Sequence, residues 1–293
     1  MARPLSSGSC VLLVLILSFA SRARAQKPAA PPCCRSALEI TSSRSVQLLV
    51  TAPNGLETGY DPILFGGPVN QIPSSNYYLG FAGNTPGAAE NAHAERKIEI
   101  GTPAAGRYLV QAIGAFPGRF TVKFTSTNEN GATTSSQFGG ATRPGLTFVY
   151  LVQYSPVPDA KFSVTPLTPF SGFSASVSVA AVPPPSFRVS ATIGLSPSSS
   201  FDPIAQPVSF RLGNYSVTIP PGSFAQRSQG NYSYDGTIEG ITLDARIVPE
   251  AGNRFSFKLK VQGINLSASI NPVRLLLILG HNAGGKLVNA VSP

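Results

Sequence analysis

The sequence predicts an all-β protein with two antiparallel β-sandwich (or flattened barrel) domains after a signal peptide. Three observations support this class. Charged residues make up only 12% of the chain, which leaves few for the polar face of amphipathic helices. The 28 glycines and 27 prolines divide the chain into short segments. Within many of these segments, apolar and polar residues alternate with the period of two that is typical of strands.

The N-terminus has the pattern of an export signal. Arg3 precedes the apolar core Val11–Phe19, and a small-x-small cleavage site ends at Ala25. The apolar core is too short to span a bilayer, which takes about 20 helical residues. We therefore expect residues 1–25 to be removed. The mature chain would start at Gln26, have no membrane span, and be secreted to the periplasm or the extracellular space.

The mature chain is predicted to be mildly basic. The sequence contains 22 Lys and Arg against 13 Asp and Glu, and losing the three arginines of the signal leaves 19 against 13, or +6. These charges are dispersed rather than clustered on one stripe, so the pattern argues against nucleic acid as a partner.

Two adjacent cysteines, Cys33 and Cys34, lie in a tail over residues 26–35 that we predict to be disordered. Their Cα atoms would be about 3.8 Å apart across a trans peptide, which is closer than the usual disulfide range. The pair can therefore stay reduced, form a strained ring or link two chains, and the sequence leaves these alternatives open.

The first predicted domain covers residues 36–155. Its best-defined element is a hairpin in which Phe120, Val122 and Phe124 share one face and polar residues occupy the other. This alternation indicates a strand with one buried and one solvated side. The strand candidates of this domain are Val46–Thr51, Arg96–Ile100, Arg107–Ile113, Arg119–Thr125 and Leu146–Tyr154.

Residues 156–185 are predicted to be a Pro-rich linker between the two domains. The segment is rich in Pro, Ser and Ala and ends in Pro183–Pro185, which cannot join a sheet ladder. It contains one strand candidate, Ser174–Val182.

The second predicted domain covers residues 186–293 and has the pattern of a meander of short hairpins. Gly213-Asn214 is a two-residue hairpin signal, because both residue types tolerate positive φ. A turn is also expected over residues 282–285. The strand candidates are Phe187–Gly194, Val208–Leu212, Tyr215–Ile219, Asn231–Ile238, Ile241–Val248, Arg254–Val261, Leu266–Ile270, Val273–Leu279 and Leu287–Val291.

Both halves resemble modules of secreted bacterial proteins. The segment VTAPNGLETGYDPILFGGPVNQIPSSNYY contains a Thr-Gly-Tyr-Asp-Pro motif found in one such module. The downstream AAGRYLVQAIG…GRFTVKF is similar to the hairpin of bacterial pre-peptidase C-terminal-like β-sandwiches. In the second half, DPIAQPVSFRLGNYSVTIPPGSF followed by NYSYDGTIEGITLDARI resembles another recurrent secreted β module. The resemblance implies a β fold and export, and it brings no catalytic residues with it.

The sequence offers few residues for catalysis. A Ser-His-Asp site would have to use His93 or His281, and the chain has no Gly-x-Ser-x-Gly elbow. A glycoside hydrolase would need two carboxylates at a defined separation. The candidates for such a pair are Asp61, Asp202, Asp235, Glu239 and Asp244.

Candidates for binding are equally few. Tyr232 and Tyr234 share a strand face and could stack on a sugar, although such a pair more often packs against a core. His281 lies in a predicted turn and is a further ligand-binding candidate. Asp61 and Asp202, each followed by proline, are the candidates for a calcium loop. No cofactor is expected.

These features predict a secreted, non-enzymatic β-sandwich protein. It would act as an extracellular or cell-envelope interaction or structural module, with a protein or glycan at the cell surface as its partner. A carbohydrate-binding protein is one alternative, and a glycoside hydrolase with two carboxylates is another.

Overall fold

The computed structural model describes residues 36–61, 67–80, 95–180, 183–227, 230–264 and 271–291. These residues form strands and turns grouped in three sheets, and they belong to one compact unit. The all-β prediction is therefore confirmed. Within the described ranges, no helix is long and apolar enough to cross a membrane. The predictions that lie outside the described residues are the signal peptide, the tail with Cys33 and Cys34, His93 and the strand candidate Leu266–Ile270.

A five-stranded sheet covers the outside of the N-terminal half. Leu38 and Ile40 point inward, and Glu39 between them points outward and pairs with Lys97 at 2.6 Å. In spatial order the strands are β5 (Ser75–Leu79), β6 (Glu95–Gly101), β1 (Ala37–Ser43), β8 (Gly118–Thr127) and β9 (Thr133–Thr142).

A ten-stranded sheet runs through both halves of the chain. In spatial order its strands are β15 (Tyr215–Ile219), β14 (Val208–Leu212), β20 (Val273–Leu279), β21 (Asn282–Val288), β11 (Ser163–Pro169), β10 (Thr147–Tyr154), β7 (Gly106–Gly114), β2 (Val46–Thr51), β3 (Glu57–Tyr60) and β4 (Pro68–Asn70).

A seven-stranded sheet covers the outside of the C-terminal half. In spatial order its strands are β16 (Ala225–Gln226), β17 (Tyr232–Ile238), β18 (Ile241–Glu250), β19 (Arg254–Gln262), β13 (Ser186–Gly194), β12 (Gly172–Ala180) and β22 (Ala290–Val291). Among the described strand pairs, all are antiparallel except two short contacts, β11 with β21 and β12 with β22.

Two separate hydrophobic cores make the two sandwiches. The N-terminal core lies between the five-stranded sheet and strands β2, β7 and β10, and it contains the fully buried Phe124. The C-terminal core lies between the seven-stranded sheet and strands β14, β20 and β21, and it contains the buried Phe257. The prediction of two antiparallel β-sandwiches is therefore confirmed.

Within the segment 156–185, which was predicted to be a linker, residues 163–169 and 172–180 form strands. It provides β11, which pairs with β10, and β12, which pairs with β13 along nine residues. Pro166 is compatible with a strand because β11 has only one neighbour at that position, so the missing N–H leaves no ladder bond unmade. Pro166 therefore lies at a position where β11 is paired on one side only, within a segment that forms strands.

Residues 282–285 form the start of β21, which corrects the predicted turn. The hairpin turns at Gly280-His281 instead, and Leu279 pairs directly with Asn282. The glycines have a packing reason: a Cβ at Gly284 would lie only 2.2 Å from the ring of Phe170. Glycine lets this strand approach the aromatic ring closely, and such strand glycines look like turn residues in the sequence alone.

Buried tyrosines make the stability of the fold decrease at alkaline pH. Desolvation raises the pKa of Tyr77, Tyr108, Tyr150 and Tyr215 to about 12 each, against about 10 in an unfolded chain. The unfolded state therefore loses these protons first. Their contribution to stability is complete below pH 10 and is lost as the pH rises towards 12.

We expect the free energy of unfolding, measured by urea denaturation, to fall over this pH window while phenolate absorbance rises. The Tyr215→Phe variant should show a smaller alkaline loss and unchanged stability at pH 7, because no described group hydrogen-bonds that hydroxyl. An equal alkaline loss in this variant would contradict the assignment for Tyr215.

Candidate functional site

The ten-stranded sheet curls back on itself at the junction of the two sandwiches. Strands β14 and β3 are seven steps apart in the sheet order, which would separate them by about 34 Å in a flat sheet. Instead, Nη2 of Arg211 on β14 lies 3.1 Å from Oε1 of Glu57 on β3. The C-terminal strands β14 and β20 therefore face the N-terminal strands β2 and β3.

The alternation of side chains explains how residues reach this junction. On β20, Leu275 and Leu277 point into the C-terminal core. Arg274 and Leu276, which alternate with them along the strand, therefore point the other way. All seven residues of β20 are buried, because the strand has a packed layer on each face. This is why VRLLLIL shows no apolar–polar alternation.

One part of the junction is apolar. Side chains from the two halves form a small cluster in which β10 and β11 of one sandwich meet β20 and β21 of the other. Its buried members are Val149, Leu167, Leu276, Ile278 and Ala283.

Beside these residues lies an ionic cluster of Glu57, Asp61, Arg211 and Arg274. Nη2 of Arg274 donates to both carboxylate oxygens of Glu57, at 2.8 and 2.9 Å. Nη1 of Arg274 lies 3.5 Å from Oδ1 of Asp61. Thr51 links the group, since its hydroxyl donates to Oε1 of Glu57 at 3.0 Å and accepts from Nη1 of Arg211 at 3.0 Å.

The ionic cluster is buried and its formal charges balance. Glu57 is 5% exposed and Arg274 5% exposed, and each arginine has an acid of the opposite half within 4 Å. Burial lowers the pKa of Arg211, and the neighbouring charge of Glu57 opposes that shift. An ion pair in such a site is strongly sensitive to the loss of one partner, because the other charge stays buried without compensation.

A cleft of about 430 Å³ opens next to this cluster, and we call it the junction cleft. Residues of both halves line it, and Gln111 and Arg274 are the most deeply buried of its polar side chains. Phe116 and Leu287, on opposite halves, also line it and remain 57% and 37% exposed. The cleft therefore combines buried polar groups with exposed apolar side chains.

Three buried donor atoms of residues that line the junction cleft have no hydrogen-bond acceptor within the part of the chain that the structure describes. They are Nε2 of Gln111, a residue only 1% exposed, and Nε and Nη1 of Arg274, of which Nη1 lies 3.5 Å from Oδ1 of Asp61. A buried donor without a partner costs about 1–3 kcal/mol, so native proteins keep few of them.

The structure places the tyrosine candidates against a core. Tyr232 and Tyr234 lie opposite Ile247 and Ala245 on β18, on the side of the sheet that packs on the C-terminal core. Tyr234 also contacts the ring of Phe224, with centroids 6.1 Å apart. The packing arrangement that the sequence suggested is therefore the one observed.

His281 and the aspartate candidates for metal binding lie apart from one another. His281 is exposed in the turn before β21, where its carbonyl accepts from the backbone of Thr168. Asp202 caps a turn, with Oδ1 accepting from the N–H of Ile204 at 2.9 Å. Asp61 belongs to the ionic cluster. Among the described residues, no group of three or more His, Cys, Asp or Glu could hold a metal ion.

The carboxylate candidates Asp235 and Asp244 do come together. They are directly opposite each other on β17 and β18, facing away from the core, and both line an open cavity of about 670 Å³ on the outer face of the seven-stranded sheet. Nε of Arg246 lies 3.4 Å from Oδ1 of Asp244. We call this cavity the outer groove. The remaining candidate, Glu239, follows β17 in the hairpin turn.

Sequence reasoning missed Glu57, Arg274 and Gln111 as site residues. Each belongs to a strand rich in buried residues. The signal that could have found them is an isolated polar side chain within a buried apolar run, as in VRLLLIL. A charge in such a position needs a buried partner, which identifies it as one half of a pair.

The comparisons with known proteins do not assign this chain to a family. No protein-family model matches the sequence, and no curated protein is similar to it. One solved structure found to be similar is Dpr2 Ig1-Ig2 in complex with DIP-Theta Ig1-Ig3, at 8% identity, covering 88% of this chain and 94% of that chain. Its TM-score is 0.21, so the β-sandwich assignment rests on the sheets and cores described above.

Proposed function

We propose that this chain is an exported, non-catalytic β-sandwich protein that binds a protein or glycan at the cell surface. The observation that carries the proposal is the buried ionic cluster, in which Arg211 and Arg274 of one sandwich bind Glu57 of the other. Together with the shared sheet, it fixes the relative orientation of the two sandwiches. A rigid unit of this kind suits a protein that presents surfaces at a set spacing.

The geometry of Glu57 supports a structural role for the most deeply buried carboxylate. Its Oε1 lies within 3.1 Å of donors on Thr51, Arg211 and Arg274, and its Oε2 accepts from Arg274. A general base or nucleophile needs a lone pair directed at the substrate. Both carboxylate oxygens of Glu57 already contact protein donors, and the residue is only 5% exposed.

The outer groove favours a carbohydrate ligand as the second candidate function. It combines the paired Asp235 and Asp244 with the basic Arg246 and Lys258 on an open face, an arrangement that can hydrogen-bond sugar hydroxyls. Opposite residues of antiparallel strands have Cβ atoms about 4.5–5.5 Å apart, so a hydrolase with two carboxylates would also be placed here.

A glycan array combined with a hydrolysis assay tests these functions together. The mature protein, the Asp235→Asn/Asp244→Asn variant and a control Asp159→Asn variant would be applied to glycans and to cells of the source organism. We expect saturable surface binding without release of sugar products. Loss of binding in the double variant alone would assign the outer groove, whereas product release that depends on these two acids would overturn the non-catalytic proposal.

A further inference from the structure

We propose that a groove on the outer face of the five-stranded sheet binds an acidic polysaccharide, whose sugar rings carry carboxylate or sulfate groups. The inference rests on the proposed function in taking a glycan as the partner, and it adds the charge of that glycan and the site that holds it. The groove, which we call the basic groove, has a volume of about 730 Å³. Residues of β1, β6, β8 and β9 and of the turns that follow β1 and β7 line it.

Positive charge is concentrated in the basic groove. Arg44 in the turn after β1 and Arg119 and Lys123 on β8 line it, and Glu95 is the only acid among the described residues that do so. Arg119 and Lys123 are exposed, and no ion pair joins either of them to an acid of the described chain. Cations that look dispersed in the sequence are therefore brought together on one surface, where an anion can reach them.

Hydrogen bonds between the strands fix the backbone beneath the groove. The N–H of Thr121 donates to Oγ of Ser43 at 3.3 Å, and Oγ of Ser45 donates to the carbonyl of Arg119 at 2.8 Å. The two serine hydroxyls are 3.0 Å apart, and because Ser45 gives its proton to Arg119, Ser43 is the donor of that pair. The turn after β1 is thus tied to β8, so the base of the groove is in place before a ligand binds.

The spacing of the cations favours a polymer whose charges lie far apart. Arg119 and Lys123 point outward from β8, and they alternate with Phe120 and Val122, which are buried in the N-terminal core. Four residues of strand separate their Cα atoms by about 13 Å. Double-stranded DNA carries one charge per about 1.7 Å of its axis, which is far denser. A chain of hydroxylated rings with separated acidic groups matches the groove better than a nucleic acid does.

The remaining lining suits the neutral parts of a sugar. Thr121 and Gln137 are exposed and supply a hydroxyl and an amide, both of which can hydrogen-bond sugar hydroxyls. Phe116 is 57% exposed and gives an aromatic ring on which the apolar face of a sugar can pack. The groove therefore offers contacts to a sugar ring besides those to its acidic group.

The basic groove continues along the sheet towards β9. A second cavity, of about 570 Å³, shares Arg119 and Thr121 with it and reaches Gly139 and Gly140, where glycine leaves the surface without side chains. An extended site of this kind accommodates several consecutive sugar units.

Calorimetric titration of the mature protein with polygalacturonate and dextran sulfate, against neutral dextran and a single-stranded DNA oligonucleotide, tests the class of ligand. We expect at least one acidic polysaccharide to bind about tenfold or more tightly than dextran and the DNA. Its affinity should fall about tenfold or more between about 0.05 and 0.5 M salt, because exposed charges are screened. Equal binding of dextran, DNA binding that is as tight, or no binding of either acidic polysaccharide would overturn the inference.

A double variant of the groove locates the binding. Arg119→Gln/Lys123→Gln should bind the acidic polysaccharide about tenfold or more weakly, since it removes two charged contacts. The matched control is Arg246→Gln/Lys258→Gln, which removes one arginine and one lysine from the outer groove of the other sandwich. All four side chains are exposed, so both variants should keep the melting temperature of the unchanged protein. Equal losses of affinity in the two variants would mean that net charge alone drives binding, and would overturn the inference.

Binding to cells separates this inference from the proposed function. If the unchanged protein and Arg119→Gln/Lys123→Gln bind cells of the source organism equally well, the groove inference fails and the surface function stands. If no cells are bound, while binding of an acidic polysaccharide in solution depends on these two cations, the surface function fails and the groove inference stands.

Discussion

Replacing Glu57 by Gln should lower the free energy of unfolding by about 3–5 kcal/mol, the usual cost of removing one partner of a buried ion pair. The substitution keeps the size of the side chain and removes only its charge. Arg211 and Arg274 would then remain buried, with Asp61 as the nearest remaining acid of the cluster. Urea denaturation at pH 7 measures the change.

The matched control is Glu39→Gln on the outer face of the five-stranded sheet. Glu39 also has a close ion pair, at 2.6 Å from Lys97, but both side chains are more than one-third exposed. Exposed pairs contribute about 0–1 kcal/mol, so this variant should lose little stability. Similar losses in both variants would show that burial does not decide the strength of the Glu57 cluster.

The Phe124→Ala variant should lose about 3–5 kcal/mol and should destabilise both sandwiches together. Phe124 is fully buried in the N-terminal core, where it packs on Phe138 and Tyr150. Because the shared sheet and the ionic cluster join the halves, the loss should lower the single unfolding transition of the whole unit. Circular dichroism and tyrosine fluorescence should report the same midpoint.

Phe257→Ala in the C-terminal core is the matched variant, since Phe257 is equally buried in the other sandwich. We expect it to lower the same transition by a similar amount. If Phe124→Ala instead produced two steps, with the second at the midpoint of the unchanged protein, the halves would be independent.

The strands that the sequence predicted well have a clear periodicity or clear turns at their ends. Val46–Thr51, Val208–Leu212, Tyr215–Ile219 and Val273–Leu279 match the observed bounds of their strands. Strand β9 was missed because its sequence, TTSSQFGGAT, is polar and mostly exposed. It forms a strand because its backbone pairs with β8 along its whole length. The residue pattern within β9 does not reveal this pairing, because the pairing depends on the neighbouring strand β8.

The junction could be predicted only in part, because it depends on how the sheet curls. Asp61 was singled out as a metal ligand candidate and lies in the ionic cluster, where its observed partner is Arg274. Arg211 and Glu57 are 154 positions apart in the chain, and nothing in either local segment indicates the other. The proline-rich segment 156–185 suggested separate domains, whereas its two strands carry the chain between the sheets of one unit.

Scanning calorimetry of the mature protein tests the central claim, that the two sandwiches form one unit through the shared sheet and the ionic cluster. We predict a single transition in which the calorimetric and van't Hoff enthalpies agree. Two resolved transitions, each with the enthalpy of one sandwich, would contradict it.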